Sequence, residues 1–461
     1  MKKFLTAVMT LLLTGLIGMF GFLVLYHDRL GLAWDDPFTG FLQNALEASV
    51  SREPDGSAGG TPDTENSDKN ASSVLQDAAS ASANYPVFHR TAGLDSLTDS
   101  GSRVLYQGLL KSAYAIAQKA NKDGYYPADE ATVKHAELSE KQIRAAVLAL
   151  RCDNPQIFWL SNQYSYTCQA GNTSVQLYGY LPPSKCSELV KKLNAEVASV
   201  IAGIPKGLSE LDRELCLFRA IAKRCTYDNA AVTDQTRLAA HEVTGALVDG
   251  TAVCEGYARA MQLLASYCGL DCRTVSGEGN GEPHMWNIIS IDGNWYHLDP
   301  TWGDSDLLNY HYFNVSDSII RADHSISENI LLLKGEKVKD EDDSSADYNL
   351  PLPACTSMKA NYFRARGIPV SGFTSENNKK AAAAVAAAAK SKSRTVEFYI
   401  DEKLNYEDTV AQMIGAPKYQ LFHYIQTANR SLKAGSRINE DKIQYVQADK
   451  CRGLTVILEY H

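Results

Sequence analysis

Cysteines at metal-binding spacing are missing from this chain: its ten cysteines are scattered, and none forms a CxxC pair. The common zinc-finger and zinc-ribbon arrangements are thereby excluded, and no metal or cofactor is expected. An excess of basic residues is missing too. With 45 Lys and Arg against 54 Asp and Glu, the net charge of -9 supplies no concentrated positive field for phosphates, which argues against a nucleic-acid partner. A phosphate-cradling loop is also lacking. The segment GEGNGEP over 277–283 joins two apparent strands instead of opening a helix, so it has no helix dipole to offer an anion. It reads as a mobile rim of a cleft.

Charge is absent from residues 4–25, 22 positions between Lys2-Lys3 and the His27-Asp28-Arg29 cluster. As a helix this run is roughly 33 Å long, enough for a hydrocarbon layer of about 30 Å. Secretory signal peptides carry a shorter apolar region and a small-residue cleavage site, and no good A-x-A site stands near the end of this run. The expectation is an uncleaved single-pass anchor in the cell membrane, with Lys2 and Lys3 inside and the remainder extracytoplasmic. In an oxidising compartment, Cys152 with Cys168 and Cys216 with Cys225 are local disulfide candidates, although spacing does not fix connectivity.

Aromatic residues vanish between 47 and 84. Such a stretch buries too little apolar surface to offset the entropy of ordering, and reads as a tether. At 461 residues the chain is expected to hold two or three domains. The expected division is an anchor over 1–30, the tether over 31–100, a helical and β-meander region over 101–183, and a core over 184–334. An acidic linker over 335–352 and a C-terminal α+β accessory domain over 353–461 complete it. Helical periodicity begins near Arg103, and further helices are predicted over 139–150, 184–201 and 209–224. The runs PQIFWLS, QYSYTCQ and SVQLYGY predict a three-stranded meander. After the linker the pattern predicts helix 376–390, strand 394–400, helix 418–432 and strands 443–447 and 453–459. The Ala-rich helix is expected to pack closely.

Three segments carry the chemistry: DGTAVCEGYARAMQLLASYCG around Cys254, EPHMWNIISI around His284 and GNWYHLDPTWGD around Asp299. In the first, Ala258, Met261, Leu264, Ala265 and Cys268 have the spacing of one buried helical face, with Gly250-Thr251 before it and Gly269 after. Cys254 therefore falls in the first turn. There, backbone N–H groups without intrahelical partners stabilise negative charge, whether on a thiolate or on the oxyanion of a tetrahedral intermediate. Alone, a helical Cys is usually a small buried hydrophobe, and Cys268 and Cys272 belong to that class. The company of an imidazole and a carboxylate changes the reading of Cys254.

Asp292-Gly293 between HMWNIISI and NWYHLD is a strong signal for a two-residue hairpin turn. That turn would set His284 opposite Thr301, with Asp299 a diagonal neighbour about 7–8 Å away on the same face. A one-residue slip would destroy the pairing. In this reading Cys254 is the nucleophile, His284 moves its proton, and Asp299 fixes the tautomer and stabilises the charged ring. Trp286 shields the ion pair or packs the core, and Tyr227 with Asp228 lies where a polar group would support the oxyanion. His297 is the main decoy, expected to meet Trp286 or Ile288, and His311 and His324 are expected to be structural.

These residues make the stretch over 208–324 resemble the transglutaminase-like superfamily, through GALVDGTAVCEGYA, HMWN, DGNWYHLDPTW and YHYFNVSD. The resemblance is to its bacterial exported branch. It implies an α+β, papain-like core with a nucleophile helix packed on an antiparallel sheet, and catalytic roles for Cys254, His284 and Asp299. It leaves open whether a thioester intermediate goes to water or to an amine. Peptide or protein amides are the expected substrates. The alternative is a non-catalytic surface module that binds a protein or cell-wall partner.

Overall fold

The computed structural model describes residues 91–234, 236–327, 350–415 and 419–461. The expectations for the apolar run 4–25, the aromatic-free stretch 47–84 and the acidic segment 335–347 lie outside these residues. Among the described residues no helix is long and apolar enough to cross a membrane. The fold class is α+β. The chain divides into two compact units, Met1–Ser290 with Asp323–Pro353, and Ile291–Ala322 with Ala354–His461.

In the first unit, helices α1 (Ala92–Ser96) and α2 (Ser100–Ser112) pack on α3 (Glu140–Asp153). Among the described residues, regular structure thus begins at Ala92 and not near Arg103. The cause is a distant partner: the Asp153 carboxylate accepts the N–H groups of Gly93 and Leu94 at 2.7 and 3.0 Å, a tertiary bond that leaves no local pattern. A capping box of Ser139 and Gln142 starts α3. Strands β1 (Tyr126–Pro127) and β2 (Ala131–Val133) precede α3, and β3 (Leu160–Gln169) and β4 (Asn172–Gly179) follow it as a hairpin. The first predicted meander run is no strand of its own. Phe158 and Trp159 are buried anchors at the entry to β3, and the Trp159 indole donates to the Ala113 carbonyl at 2.8 Å. Aromatic enrichment there served packing instead of pleating.

Helices α4 (Pro183–Ala202) and α5 (Glu210–Arg224) lie where the periodicity placed them. Strand β5 (Thr226–Tyr227) then pairs in parallel with β6 (Thr251–Ala252), which feeds α6 (Cys254–Tyr267). The periodicity predicted one buried face on α6, but every residue from Glu255 to Ser266 is buried. Five strands follow: β7 (Cys272–Gly279), β8 (Glu282–Ile291), β9 (Asn294–Leu298), β10 (Phe313–Val315) and β11 (His324–Ile326). In the first unit β7 pairs antiparallel with both β8 and β11. No disulfide joins any of the ten cysteines, so the two local candidate pairs are not made. Cys168 instead faces the Leu138 carbonyl and the Thr173 hydroxyl, each at 3.6 Å.

In the second unit β9 pairs with β10, and the short helices α7 (Pro300–Gly303) and α8 (Asp317–Ile320) follow those strands. The later part runs α9 (Tyr362–Arg366), β12 (Ile368–Val370), α10 (Ser375–Lys390), β13 (Thr395–Ile400), α11 (Tyr406–Ile414), α12 (Gln420–Arg430), β14 (Gln444–Ala448) and β15 (Gly453–Ile457). Its sheet order is β12-β13-β15-β14, with β12 parallel to β13 and the other pairs antiparallel. Helices α9 and α11 and strand β12 were not foreseen. The Ala run packs as expected: Ala381, Ala382, Ala386 and Ala389 are buried in one core with Phe398 and Ile425. Phe398 is fully buried at its centre, so Phe398→Ala is expected to cost about 3–5 kcal/mol. Urea unfolding of wild type and variant measures this, and a loss below about 1 kcal/mol would contradict the packing described.

Candidate active site

Cys254 opens α6, and the preceding chain fixes where that opening lies. A 3-10 turn over Leu238–His241 and a π turn over Gly245–Asp249 lead to Gly250, whose φ of 75° is the left-handed conformation a side chain resists. The Val253 N–H then donates to the Ala240 carbonyl at 3.0 Å. Gly256 lets the helix start press against that same carbonyl, since a Cβ there would stand 2.6 Å from the Ala240 oxygen and 2.8 Å from the Ala252 Cβ. Cys254 itself is half-buried. Pairing of Tyr227 with Ala252 sets the predicted support residue beside the strand that feeds the thiol, with Tyr227 exposed. Asp228 is committed elsewhere: Arg237 donates to its Oδ2 at 3.0 and 2.5 Å, which with backbone N–H bonds from Ala230 and Ala231 holds its carboxyl below the usual range.

His284 lies on β8 opposite Gly277 of β7, and its ring stacks on Trp286 with centroids 6.0 Å apart and planes 18° off parallel. Trp286 is fully buried. The structure thus brings these two predicted residues together. It adds a third ring that the sequence reading set aside as structural. His324 on β11 lies 5.5 Å from the His284 ring and 5.0 Å from the Trp286 ring, and its Nδ1 is 2.7 Å from Asp323 Oδ1. The register explains how they meet. Gly277 faces His284 and Gly279 faces His324, so the strand between them carries no side chains at those points. The segment GEGNGEP is a tight hairpin: Asn280 and Gly281 both have positive φ, 52° and 79°, and Gly279 pairs with Glu282. Asn-Gly is the dipeptide that could have announced it.

Asp299 belongs to the second unit. The Asp292-Gly293 turn has the expected form, with φ of 48° and 75°. Strand β9 nevertheless ends at Leu298, so Thr301 does not occupy the strand position expected opposite His284. Asp299 is the N-cap of α7, its Oδ1 accepting from the Thr301 and Trp302 N–H groups at 2.8 and 3.1 Å, with Pro300 as first helical residue. Asp-Pro is a helix-start signal, and it outweighed continuation of the strand. The Asp299 carboxylate is fully buried. His297, the decoy, has its own partner: its Nε2 is 2.9 Å from Asp317 Oδ1.

Two features near the thiol escaped the sequence reading. Asn287, buried among the apolar residues of β8, donates to the Ala258 carbonyl at 2.9 Å and ties that strand to α6. A lone polar residue inside an apolar strand was its only signal. Behind the thiol lies a buried charge network: Glu255 accepts from Arg259 at 2.8 and 3.1 Å and faces His241 Nδ1 at 3.2 Å, while Glu242 lies 3.3 Å from Arg151 and 3.8 Å from Arg259. Burial raises the Glu255 carboxyl, but the Arg259 charge and the His241 ring outweigh it and hold the group at about 2. For His241 burial disfavours the charged form, yet the bond and charge of Glu255 prevail and raise its pKa.

Residues 198–300 match the model of the transglutaminase-like superfamily, a span that contains Cys254, His284 and Asp299. This segment is a transglutaminase-like core. Human kyphoscoliosis peptidase is 26% identical to the chain over 138 residues, 25% of this chain and 21% of that protein. The mouse protein of the same name is 25% identical over 172 residues, 32% and 26% of the two chains. The match thus spans about a quarter or less of those relatives. A crystal structure described as that of a TGase aligns at 16% identity and a TM-score of 0.24, covering 41% of this chain and 54% of that one.

The charge network of the transglutaminase-like core gives a signed pH dependence. A raised His241 stabilises fully below its unfolded value of about 6.5 and loses that contribution as pH rises through its higher folded value. Glu255 works the other way, stabilising above its ordinary 4.5 and losing this only as pH falls toward about 2. His241→Ala is therefore expected to destabilise by about 1–2 kcal/mol near pH 5.5, and by progressively less in mildly alkaline buffer. Urea midpoints at both pH values test this. Equal losses at the two would show that His241 acts through packing alone.

Proposed function

We propose that the chain is a cysteine enzyme acting on peptide or protein amides through a thioester. The observation that carries this reading is the placement of Cys254 as the first residue of a helix buried along its length, inside the transglutaminase-like segment. Cys254 Sγ attacks the carbonyl carbon while its proton passes to His284. The oxyanion gathers against the N–H groups of the first turn of α6, with Tyr227 at the same opening. His284 then gives the proton to the departing amine, and the thioester goes to water or to a second amine. Trp286 keeps water from one face of the imidazole. With Asp299 Oδ1 engaged in the cap, Oδ2 is the oxygen that would orient and stabilise the ring.

The peptidase name of the human and mouse relatives favours hydrolysis as the first activity to assay. We also infer that residues 4–25 anchor the chain in the membrane and leave the core outside the cytoplasm, where a surface protein or cell-wall peptide would be the substrate. Support for this is the 22-residue uncharged run that follows Lys2 and Lys3.

An electrophilic thiol probe is expected to label wild type rapidly at Cys254 and to lose that fast phase in Cys254→Ser. Equal labelling kinetics in the two proteins would count decisively against a nucleophilic Cys254. Once a turnover assay exists, Asp299→Asn is expected to lower kcat by up to about 10⁴, the scale seen when a triad carboxylate loses its charge. Deleting residues 4–25 is expected to move the protein from the membrane pellet to the soluble fraction, and unchanged sedimentation would refute the anchor.

A further inference from the structure

We propose that His297, Asp317 and Cys355 form a site for one divalent transition-metal ion of the zinc class. All three belong to the second unit. One ligand atom from each lies within 4.8 Å of the others, and His297 Nε2 stands 2.9 Å from Asp317 Oδ1. A strand pairing and a reciprocal pair of hydrogen bonds create the cluster. Pairing of β9 with β10 sets His297 against Val315, two residues before Asp317. Cys355 is clamped by a reciprocal pair in which the Asp317 N–H donates to the Cys355 carbonyl at 2.8 Å and the Cys355 N–H donates to Asp317 Oδ2 at 2.9 Å. That second bond leaves Oδ1 to face the imidazole.

The bland alternative is a histidine-aspartate ion pair beside a cysteine that merely packs. Donor chemistry favours the metal. A nitrogen, a sulfur and a carboxylate oxygen are the set that zinc takes, whereas calcium and magnesium demand oxygen throughout. Metal–ligand bonds of about 2.0–2.3 Å in a tetrahedron place ligand atoms about 3.3–3.8 Å apart, within the span of this cluster. Burial agrees as well. His297 and Cys355 are sealed, but the Asp317 side chain is 34% exposed, which leaves an entry path and a fourth position for water. A thiolate and a carboxylate balance the two charges of the ion, so the sealed side carries no net charge. Binding forms the bonds to Nε2, Sγ and Oδ1 and releases the thiol proton to solvent, while the imidazole stays neutral with its one proton on Nδ1.

The full-length chain, stripped with a chelator and reloaded with zinc, is expected to retain one ion after desalting. Loaded with cobalt(II) instead, it is expected to show thiolate-to-cobalt charge transfer and the strong visible bands of tetrahedral coordination. Those bands should persist in Cys254→Ser and disappear in Cys355→Ser, while His297→Gln and Asp317→Asn should weaken binding by about tenfold or more. Absence of stoichiometric metal, or charge transfer that survives in Cys355→Ser, overturns the proposal. Circular dichroism of the stripped proteins checks the fold. Should Cys355→Ser fail that check, the other two variants decide, and unchanged affinity in both overturns the site.

Discussion

The first unit depends on the burial of α6 on every side. A helix enclosed in this way cannot hold charged residues unless their partners are enclosed with them. Glu255, Arg259 and Gln262 meet that demand by reaching to other elements: Glu255 to His241, Arg259 to Glu242, and Gln262 to the Cys152 carbonyl on α3 at 2.8 Å. Arg151 of α3 joins the same Glu242. Removing one member would strand a buried charge, so the network resists drift of α6 against α3 and against the turns that precede it. The first residue of that helix is Cys254. Asn287 extends the constraint to β8 through the Ala258 carbonyl, and His284 lies three residues before it. Thiol and imidazole thus take their places from one helix.

Glycine supplies the second constraint, through the space it leaves. At Gly277 a Cβ would fall 2.0 Å from the Ser325 carbonyl oxygen, so any side chain there would push β11 off the sheet edge. The same absence opens the lane over β7 across which His284, Trp286 and His324 gather. Composition alone shows 31 glycines, and nothing in a count separates Gly277 from one that only turns a loop. The register separates them.

What the residues disclosed, and what they hid, divides by the range of the interaction that decides each element. Helices α3, α5 and α10 begin at Ser139, Ser209 and Thr374, whose side chains accept N–H groups of their own first turns, and their spans were legible within a few positions. The Asp292-Gly293 turn was legible for the same local reason. Helix α1 was not, because Asp153 lies about sixty positions away. His324 was passed over since its approach to His284 requires knowing that β11 returns to pair with β7. The cluster of His297, Asp317 and Cys355 hid for the same reason: a search for close cysteine pairs sees nothing in ligands drawn from three separated segments. A buried polar network looks like ordinary helix polarity until the opposite wall is known, which is why α6 read as amphipathic.

Asp299 shows how one residue can serve folding and chemistry without conflict. Its Oδ1 caps α7, and Pro300 sets the first helical φ, so the carboxylate is immobilised by its own neighbours before any imidazole is considered. A carboxylate held this way loses little entropy when it takes a proton donor on its second oxygen, which is the preorganisation a proposed orienting group needs. The cap also shows how to separate its two duties. Asparagine caps a helix about as well as aspartate, so Asn at 299 preserves α7 while withdrawing the charge, whereas Ala would remove both. A structural role and an electrostatic role therefore predict different patterns for the two variants: the first makes Ala far worse than Asn, and the second makes them nearly equal in lost turnover.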